Sequence, residues 1–435
     1  MKSLLIKGGR IIDPAQGIDE IGSLLITDGK IEWQGKGDTI PPQKDYDVID
    51  AKGLVVSPGF IDLHCHLRQP GFEESETIAS GTRAAAKGGF TTICCMPNTD
   101  PPLDNRYVID YVRQTAAREG VVRVLPVGCI SKGRKGQELA ELGALTEAGV
   151  IGYSDDGDPV TDARLMRRTL EYGRAFGLPV INHCEDKVLS DGGHMNEGVI
   201  SNKLGIPGIP AAAEEVMVAR DLALAQLTEG WIYLPHISTE GSVDLIRLAK
   251  QKGVRVTAEV TPHHLTLTEE KVVGFNTSAK MYPPLRTQKD IQALIQGLKD
   301  NVIDLIATDH APWNQTEKLC EFGPAAKGVS VFETALGSLM SLVHGGELTL
   351  RTLIAKLTVE PAKVIGDKHG KLGTLAAGAG ADVTIFNPDK EWVVDINKFV
   401  SKGKATPLEG ETLKGKVMAT ISQGKIAYRN ESFKQ

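Results

Sequence analysis

Eight short apolar runs, each closing on polar residues and followed by a segment of helical periodicity, constrain this chain more than any other feature. The runs are Phe60–His64, Phe90–Asn98, Val121–Gly128, Val150–Asp155, Pro179–Glu185, Trp231–Ser238, Val254–His263 and Asp304–His310. Amphipathic segments such as Glu76–Lys87, Asp162–Ala175, Ala212–Leu227 and Lys289–Leu298 lie between them. Strands that alternate with helices pair in parallel. Eight such units predict an α/β fold with a closed (β/α)8 barrel of the TIM type.

The two ends read differently. Leu4–Ile6, Ser23–Ile26 and Lys30–Gln34 are short runs broken by Gly and Asp, and the tail repeats the style in Asp382–Phe386, Trp392–Val394, Val417–Ile421 and Lys425–Tyr428. Asp28-Gly29 and Gln423-Gly424 are hairpin-turn signals. Both ends are therefore expected to join in one small β-sandwich domain. The predicted boundaries are 1–55 and 367–435 for that domain and 56–366 for the barrel.

Composition narrows the partners. Of 435 residues, 49 are Lys or Arg and 55 are Asp or Glu, a formal net charge of -6. That is the wrong sign for a nucleic-acid-binding protein. No apolar run reaches the 18 residues of a membrane-spanning helix, and the start lacks the pattern of a secretory signal. The six cysteines form no CxxC pair and mostly lie within apolar runs, as expected of free thiols in a reducing cytoplasm.

The chemistry is expected at the C-terminal ends of the strands, where barrels of this type carry their sites. Those ends read His64-Cys65-His66, Ser154-Asp155-Asp156-Gly157, Asn182-His183-Cys184-Glu185, Pro235-His236 and Thr308-Asp309-His310. Imidazoles and carboxylates thus converge on one mouth from five strands. Residues two apart on a strand share a face, so His64 and His66 point together while Cys65 points away. Neutral imidazole and carboxylate suit zinc and similar divalent ions. The set is large enough for two metals if one carboxylate bridges them. Metal-bound water becomes a nucleophile near neutral pH. His263 and His264 could support the ligands from behind, and His194, His344 and His369 read as loop or surface residues.

Several motifs resemble the cyclic amidohydrolases: Gly59-Phe60-Ile61-Asp62-Leu63-His64-Cys65-His66-Leu67-Arg68 with Pro70-Gly71, Met96-Pro97-Asn98-Thr99, Asn182-His183-Cys184-Glu185-Asp186, Pro283-Pro284-Leu285-Arg286 and Ala307-Thr308-Asp309-His310-Ala311-Pro312. Together they resemble the bacterial class I dihydroorotases, over essentially the whole chain. The resemblance implies reversible, zinc-dependent hydrolysis of dihydroorotate to N-carbamoyl-L-aspartate in pyrimidine synthesis. It implies two zinc ions per subunit, bridged by Asp156 and a hydroxide. His64 and His66 match ligands of one metal, and His183 and His236 ligands of the other. Asp309 matches the residue that binds the first metal and shuttles the proton. Asp156, rather than Asp155, matches the bridging position because it precedes Gly157. Asp155 is then expected to face away or to cap the turn.

Arg68 and Asn98 match the groups that hold the substrate carboxylate, and a guanidinium binds a carboxylate through paired, charge-assisted bonds. His66, Tyr282, Trp313, Lys327 and Gly328 complete the expected substrate contacts. Three of these depart from the family pattern: Trp313 replaces a histidine, Tyr282 an asparagine and Lys327 an aromatic residue. An indole donates one hydrogen bond and carries no charge, so Lys327 is expected to restore a cation near the carboxylate. The segment Trp313–Lys327 has the character of a lid.

Two other readings stand beside this one. A hydantoinase- or dihydropyrimidinase-like cyclic amidase is disfavoured by the absence of a bridging lysine after the fourth strand and by Arg68. A catalytically silent scaffold for aspartate transcarbamoylase is expected to lose metal ligands, and all six are present. The expected partners are a small-molecule substrate, a transcarbamoylase subunit and further copies of this chain.

Overall fold

The computed structural model describes residues 3–37 and 46–433. Part of the expected first β segment, residues 38–45, lies outside the described residues. The protein is an α/β fold. Its eight central strands are β1 (Phe60–Cys65), β2 (Phe90–Cys95), β3 (Arg123–Pro126), β4 (Tyr153–Ser154), β5 (Val180–Ile181), β6 (Ile232–Leu234), β7 (Val256–Val260) and β8 (Leu305–Ile306). Strands β1 to β3 form one parallel sheet and β4 to β8 another. A parallel bridge from Gly128 to Tyr153 joins the sheets at one side, and one from Cys65 to His310 joins them at the other. A buried cluster including Ile61, Leu63, Cys94, Leu125, Ile181, Tyr233 and Leu305 draws on most of these strands.

Seven of the eight strands are shorter than the apolar runs that predict them; β1, Phe60–Cys65, is the exception. Soon after β6 and β8 the chain leaves strand geometry. His236 and Asp309 adopt left-handed backbone, with φ of 37° and 45°. Such conformations cost energy in residues with a side chain and concentrate at functional sites. The helix expected from Glu76 spans Ile78–Lys87, because Thr77 is its N-cap and accepts from the Ser80 N–H. Likewise Asp162 caps Ala163–Phe176 rather than belonging to it. These caps satisfy N–H groups that the first helical turn leaves free.

Strands from both ends of the chain form one eight-stranded sheet. Val383–Val393 pairs antiparallel with Val55–Pro58 and so joins the C-terminal strands to the N-terminal ones. The runs Asp382–Phe386 and Trp392–Val394, expected as separate strands, fuse into this one strand. The pairing slips from Asn387 opposite Lys416 to Glu391 opposite Lys414, so an irregularity absorbs the turn-like Pro388-Asp389. Both hairpin turns form as expected, with positive φ at Asp28, Gly29, Gln423 and Gly424. They pack on each other so closely that a Cβ on Gly424 would lie 2.4 Å from the Gly29 Cα.

Candidate metal centre and substrate cleft

The strand ends bring His64, His66, Asp156, His183, His236 and Asp309 into one buried cluster. Two groups of three have the geometry to hold an ion: His64, His66 and Asp156, and Asp156, His183 and His236. Asp156 is common to both. Its Oδ2 lies 3.4 Å from His64 Nε2 and 3.6 Å from His66 Nε2. Its Oδ1 lies 3.4 Å from His236 Nε2 and 3.7 Å from His183 Nδ1. Asp309 Oδ1 approaches the first group, 3.0 Å from His66 Nε2 and 3.6 Å from His64 Nε2.

The donor set fits divalent metal. Ligands about 2.0–2.1 Å from a tetrahedral ion sit roughly 3.3 Å apart, close to the separations around Asp156. His64 Nε2 and Asp156 Oδ1 are buried with no hydrogen-bond partner among the described residues, and such orphans need a reason. The opposite nitrogens of the first pair are engaged. His64 Nδ1 donates to Glu259 Oε1 at 2.7 Å and His66 Nδ1 to Asn98 Oδ1 at 2.9 Å. Each bond turns the Nε2 lone pair toward Asp156, as in metal-binding histidines.

The electrostatics point the same way. Burial pushes the His64 imidazole toward its neutral form, yet the charges of Asp156, Glu259 and Asp309 pull its pKa well above the ordinary value. Burial pushes the Asp156 carboxyl up, but the positive charge of the His64 imidazole and the other imidazoles close around it hold it well below the usual range. The carboxylates thus draw positive charge into the pocket, which a protonated His64 supplies or a metal cation would supply in its place.

Asp155 takes no part in this cluster. Its carboxylate accepts the N–H groups of Ile130 and Ser131 at 2.9 and 3.1 Å, together with the Ser131 hydroxyl. It pins the loop after β3.

A cleft of about 790 Å3 opens over the cluster. Arg68, Asn98, Tyr282, Trp313, Lys327 and Gly328 all line it, together with His66, Asp156, His183, His236 and Asp309. Arg68 is buried, with its guanidinium 4.1 Å from the centre of the Trp313 ring and its Nε donating to the Pro312 carbonyl at 3.0 Å. Burial lowers its pKa to about 10, so it stays charged at neutral pH. The Trp313 indole is thus a platform for Arg68. Its own N–H donates to the Lys327 carbonyl at 2.7 Å. Lys327 Nζ lies 3.6 Å from the centre of the Tyr282 ring. The Gly328 N–H is bound to the Lys280 carbonyl at 3.0 Å.

Sequence reasoning missed several contributors. Glu259 on β7 is fully buried and also accepts the His236 N–H at 3.1 Å and the Tyr233 hydroxyl. A lone carboxylate inside Val256-Thr257-Ala258-Glu259-Val260 was the available signal, since such a charge is rarely buried without a partner. Glu185 contacts His183 Nε2 at 3.3 Å. His194, which reads as a loop or surface residue, does lie in a loop and also lines the cleft. His264 is held between the Thr261 hydroxyl and the Pro283 carbonyl, and His263 has no partner at either ring nitrogen among the described residues. Five cysteines are buried, Cys320 is exposed, and all six are free.

A family profile described as "Dihydro-orotase-like" matches residues 53–242. The dihydroorotase of Thermoanaerobacter sp. (strain X514) is 50% identical over 429 residues, covering 98% of each chain. That of Syntrophus aciditrophicus (strain SB) is 50% identical over 428 residues, covering 98% of this chain and 100% of the relative. Among solved structures, the L-hydantoinase (dihydropyrimidinase) of Arthrobacter aurescens superposes with a TM-score of 0.87 at 22% identity, covering 99% of this chain and 96% of that one, a likeness of fold. A D-hydantoinase structure gives 0.84 at 26% identity, with the same coverage. With half of its residues identical to those dihydroorotases over almost its whole length, this chain belongs to the dihydroorotase family.

Proposed function

We propose that the two parallel sheets are one closed (β/α)8 barrel, residues 56–366, beside a β-domain of residues 1–55 and 367–435, and that the barrel is a zinc-dependent dihydroorotase. The bridges at Gly128–Tyr153 and Cys65–His310 support closure. The observation that carries the activity is Asp156 shared between two histidine pairs beneath a cleft that holds a buried arginine.

His64, His66 and Asp309 would hold one zinc, His183 and His236 the other, with Asp156 between them. Ions there supply Lewis acidity toward the ring carbonyl and toward water. The chain's own residues do the rest. Arg68, held over the Trp313 ring, binds the substrate carboxylate together with Asn98. Asp309 takes the proton of the attacking water as its oxygen bonds to the ring carbon. It returns that proton to the ring nitrogen as the carbon–nitrogen bond breaks. Ring closure runs the same steps backward.

An aspartate, rather than a lysine, at the end of β4 and a buried Arg68 both favour a carboxylated ring over a plain hydantoin. A silent scaffold would not keep all six ligands in place. Among the described residues no helix is long and apolar enough to cross a membrane. The test is ring opening of dihydroorotate and of hydantoin by the wild type and by Asp309→Asn, with and without an aspartate transcarbamoylase partner. The wild type should open dihydroorotate selectively. Asp309→Asn should stay folded and lose activity by about two to four orders of magnitude. Near-normal activity in that variant would sink the role given to Asp309.

A further inference from the structure

Lysines are almost never fully buried without a charged partner, yet Lys280 and Lys318 are only 2% and 3% exposed. Neither makes an ion pair with a carboxylate among the described residues. Their N–H groups go to main-chain carbonyls instead. Lys280 Nζ donates to Phe322 O at 2.8 Å and to Gly323 O. Lys318 Nζ donates to Lys280 O at 3.1 Å and to Ala326 O at 2.7 Å. Lys280 O also accepts the Gly328 N–H, and the Thr277 hydroxyl donates to Lys318 O at 2.6 Å.

These bonds join segment 277–280 to the start, middle and end of segment 318–328. That second segment has little regular structure, so its carbonyls need partners from elsewhere. Two long amines reach them where an aliphatic side chain could not. The arrangement is costly, because burial favours the uncharged amine. Burial lowers the pKa of Lys280 to about 8 and of Lys318 to about 7. The proposed reaction uses neither amine. What the clamped segment does is wall the cleft, through Gly323, Pro324, Lys327 and Gly328, and its last residues hold the Trp313 indole.

We infer that Lys280 and Lys318 are positioning residues that hold segment 318–328 as the wall of the substrate cleft, and so set the placement of Trp313 and Lys327. The inference rests on the cleft being the dihydroorotate site. Two readouts separate its failure from the failure of that reading. The first is deuterium exchange at amides 319–326 in the substrate-free holoenzyme. The second is the split between KM and kcat for dihydroorotate.

Lys280→Met and Lys318→Met should each speed exchange in 319–326 by about tenfold, the scale of one lost polar contact. KM should rise by a similar factor, with kcat within about twofold of wild type. Thr277→Val, a milder loss of one bond to the same segment, should shift both readouts the same way by less, and serves if a lysine variant does not fold. Unchanged exchange would overturn the clamp. Faster exchange with unchanged KM would overturn its role at the cleft. Faster exchange throughout the chain would reduce the lysines to general stability and also overturn it. If the wild type fails to open dihydroorotate, the exchange result still decides whether the clamp exists.

Discussion

Glu259→Gln is the sharpest test of how the first histidine pair is held. The carboxylate has three donors: His64 Nδ1 at 2.7 Å and the His236 N–H at 3.1 Å, both on Oε1, and the Tyr233 hydroxyl on Oε2. Glutamine keeps one carbonyl oxygen for the first two. Its amide group then faces Tyr233, whose hydroxyl can turn from donor to acceptor. The geometry survives and the negative charge is lost. A hydrogen bond to a charged group contributes about 1.5–3 kcal/mol against about 0.5–1.5 for a neutral one. The difference, about 1–1.5 kcal/mol, is roughly a tenfold change in affinity, at the lower edge of the 10- to 100-fold range for groups that support metal ligands. The assay is competition for zinc against a chelator of known affinity, with the melting temperature as a control for folding. Glu259→Gln should bind zinc about tenfold more weakly and recover activity when zinc is raised. Affinity within twofold of wild type would refute the account of His64.

Three further outcomes follow from named contacts. Asp156→Ala should remove metal from both histidine pairs, whereas Asp155→Ala should keep metal and lose about 1–3 kcal/mol of stability for each N–H left unpaired in the loop after β3; metal analysis showing the reverse would exchange the two roles. Trp313→Ala removes the ring beneath Arg68, a desolvated cation–π contact of about 1–2 kcal/mol, and should raise KM for dihydroorotate about 5- to 30-fold; an unchanged KM would dismiss the platform. Burial, and then the Lys280 charge, lower Lys318 from 10.5 to about 7; between those values the unfolded chain binds more protons, so this group makes stability rise with pH. Wild type should therefore gain stability relative to Lys318→Met as pH goes from 7 to 10, and a constant gap in denaturant titrations would contradict this.

The sequence revealed most where chemistry and period coincide. His64 and His66 share a face because they are two apart on a strand, and the five polar strand ends converge because parallel strands end on one side. It revealed least where a contact joins distant residues of unlike type. Nothing in Arg68 or Trp313 alone shows that they stack, and the indole looks like a lost histidine until the guanidinium is seen above it. Glu259 shows only as a lone carboxylate within a strand-like run, and nothing in that run says that it faces His64. Lys280 and Lys318 were hidden because lysine usually marks the surface. The long strand Val383–Val393 reads as two in the sequence because Asn387-Pro388-Asp389 carries turn residues, which the sheet absorbs as an irregularity.

The central claim is that two metal ions, shared through Asp156, drive ring opening of dihydroorotate. The most direct measurement is stepwise return of zinc to chelated protein, with bound metal and dihydroorotate consumption followed on the same samples. The account predicts no turnover without metal and activity that rises until about two equivalents are bound. Full activity in metal-free protein, or none on dihydroorotate at two equivalents, would contradict it.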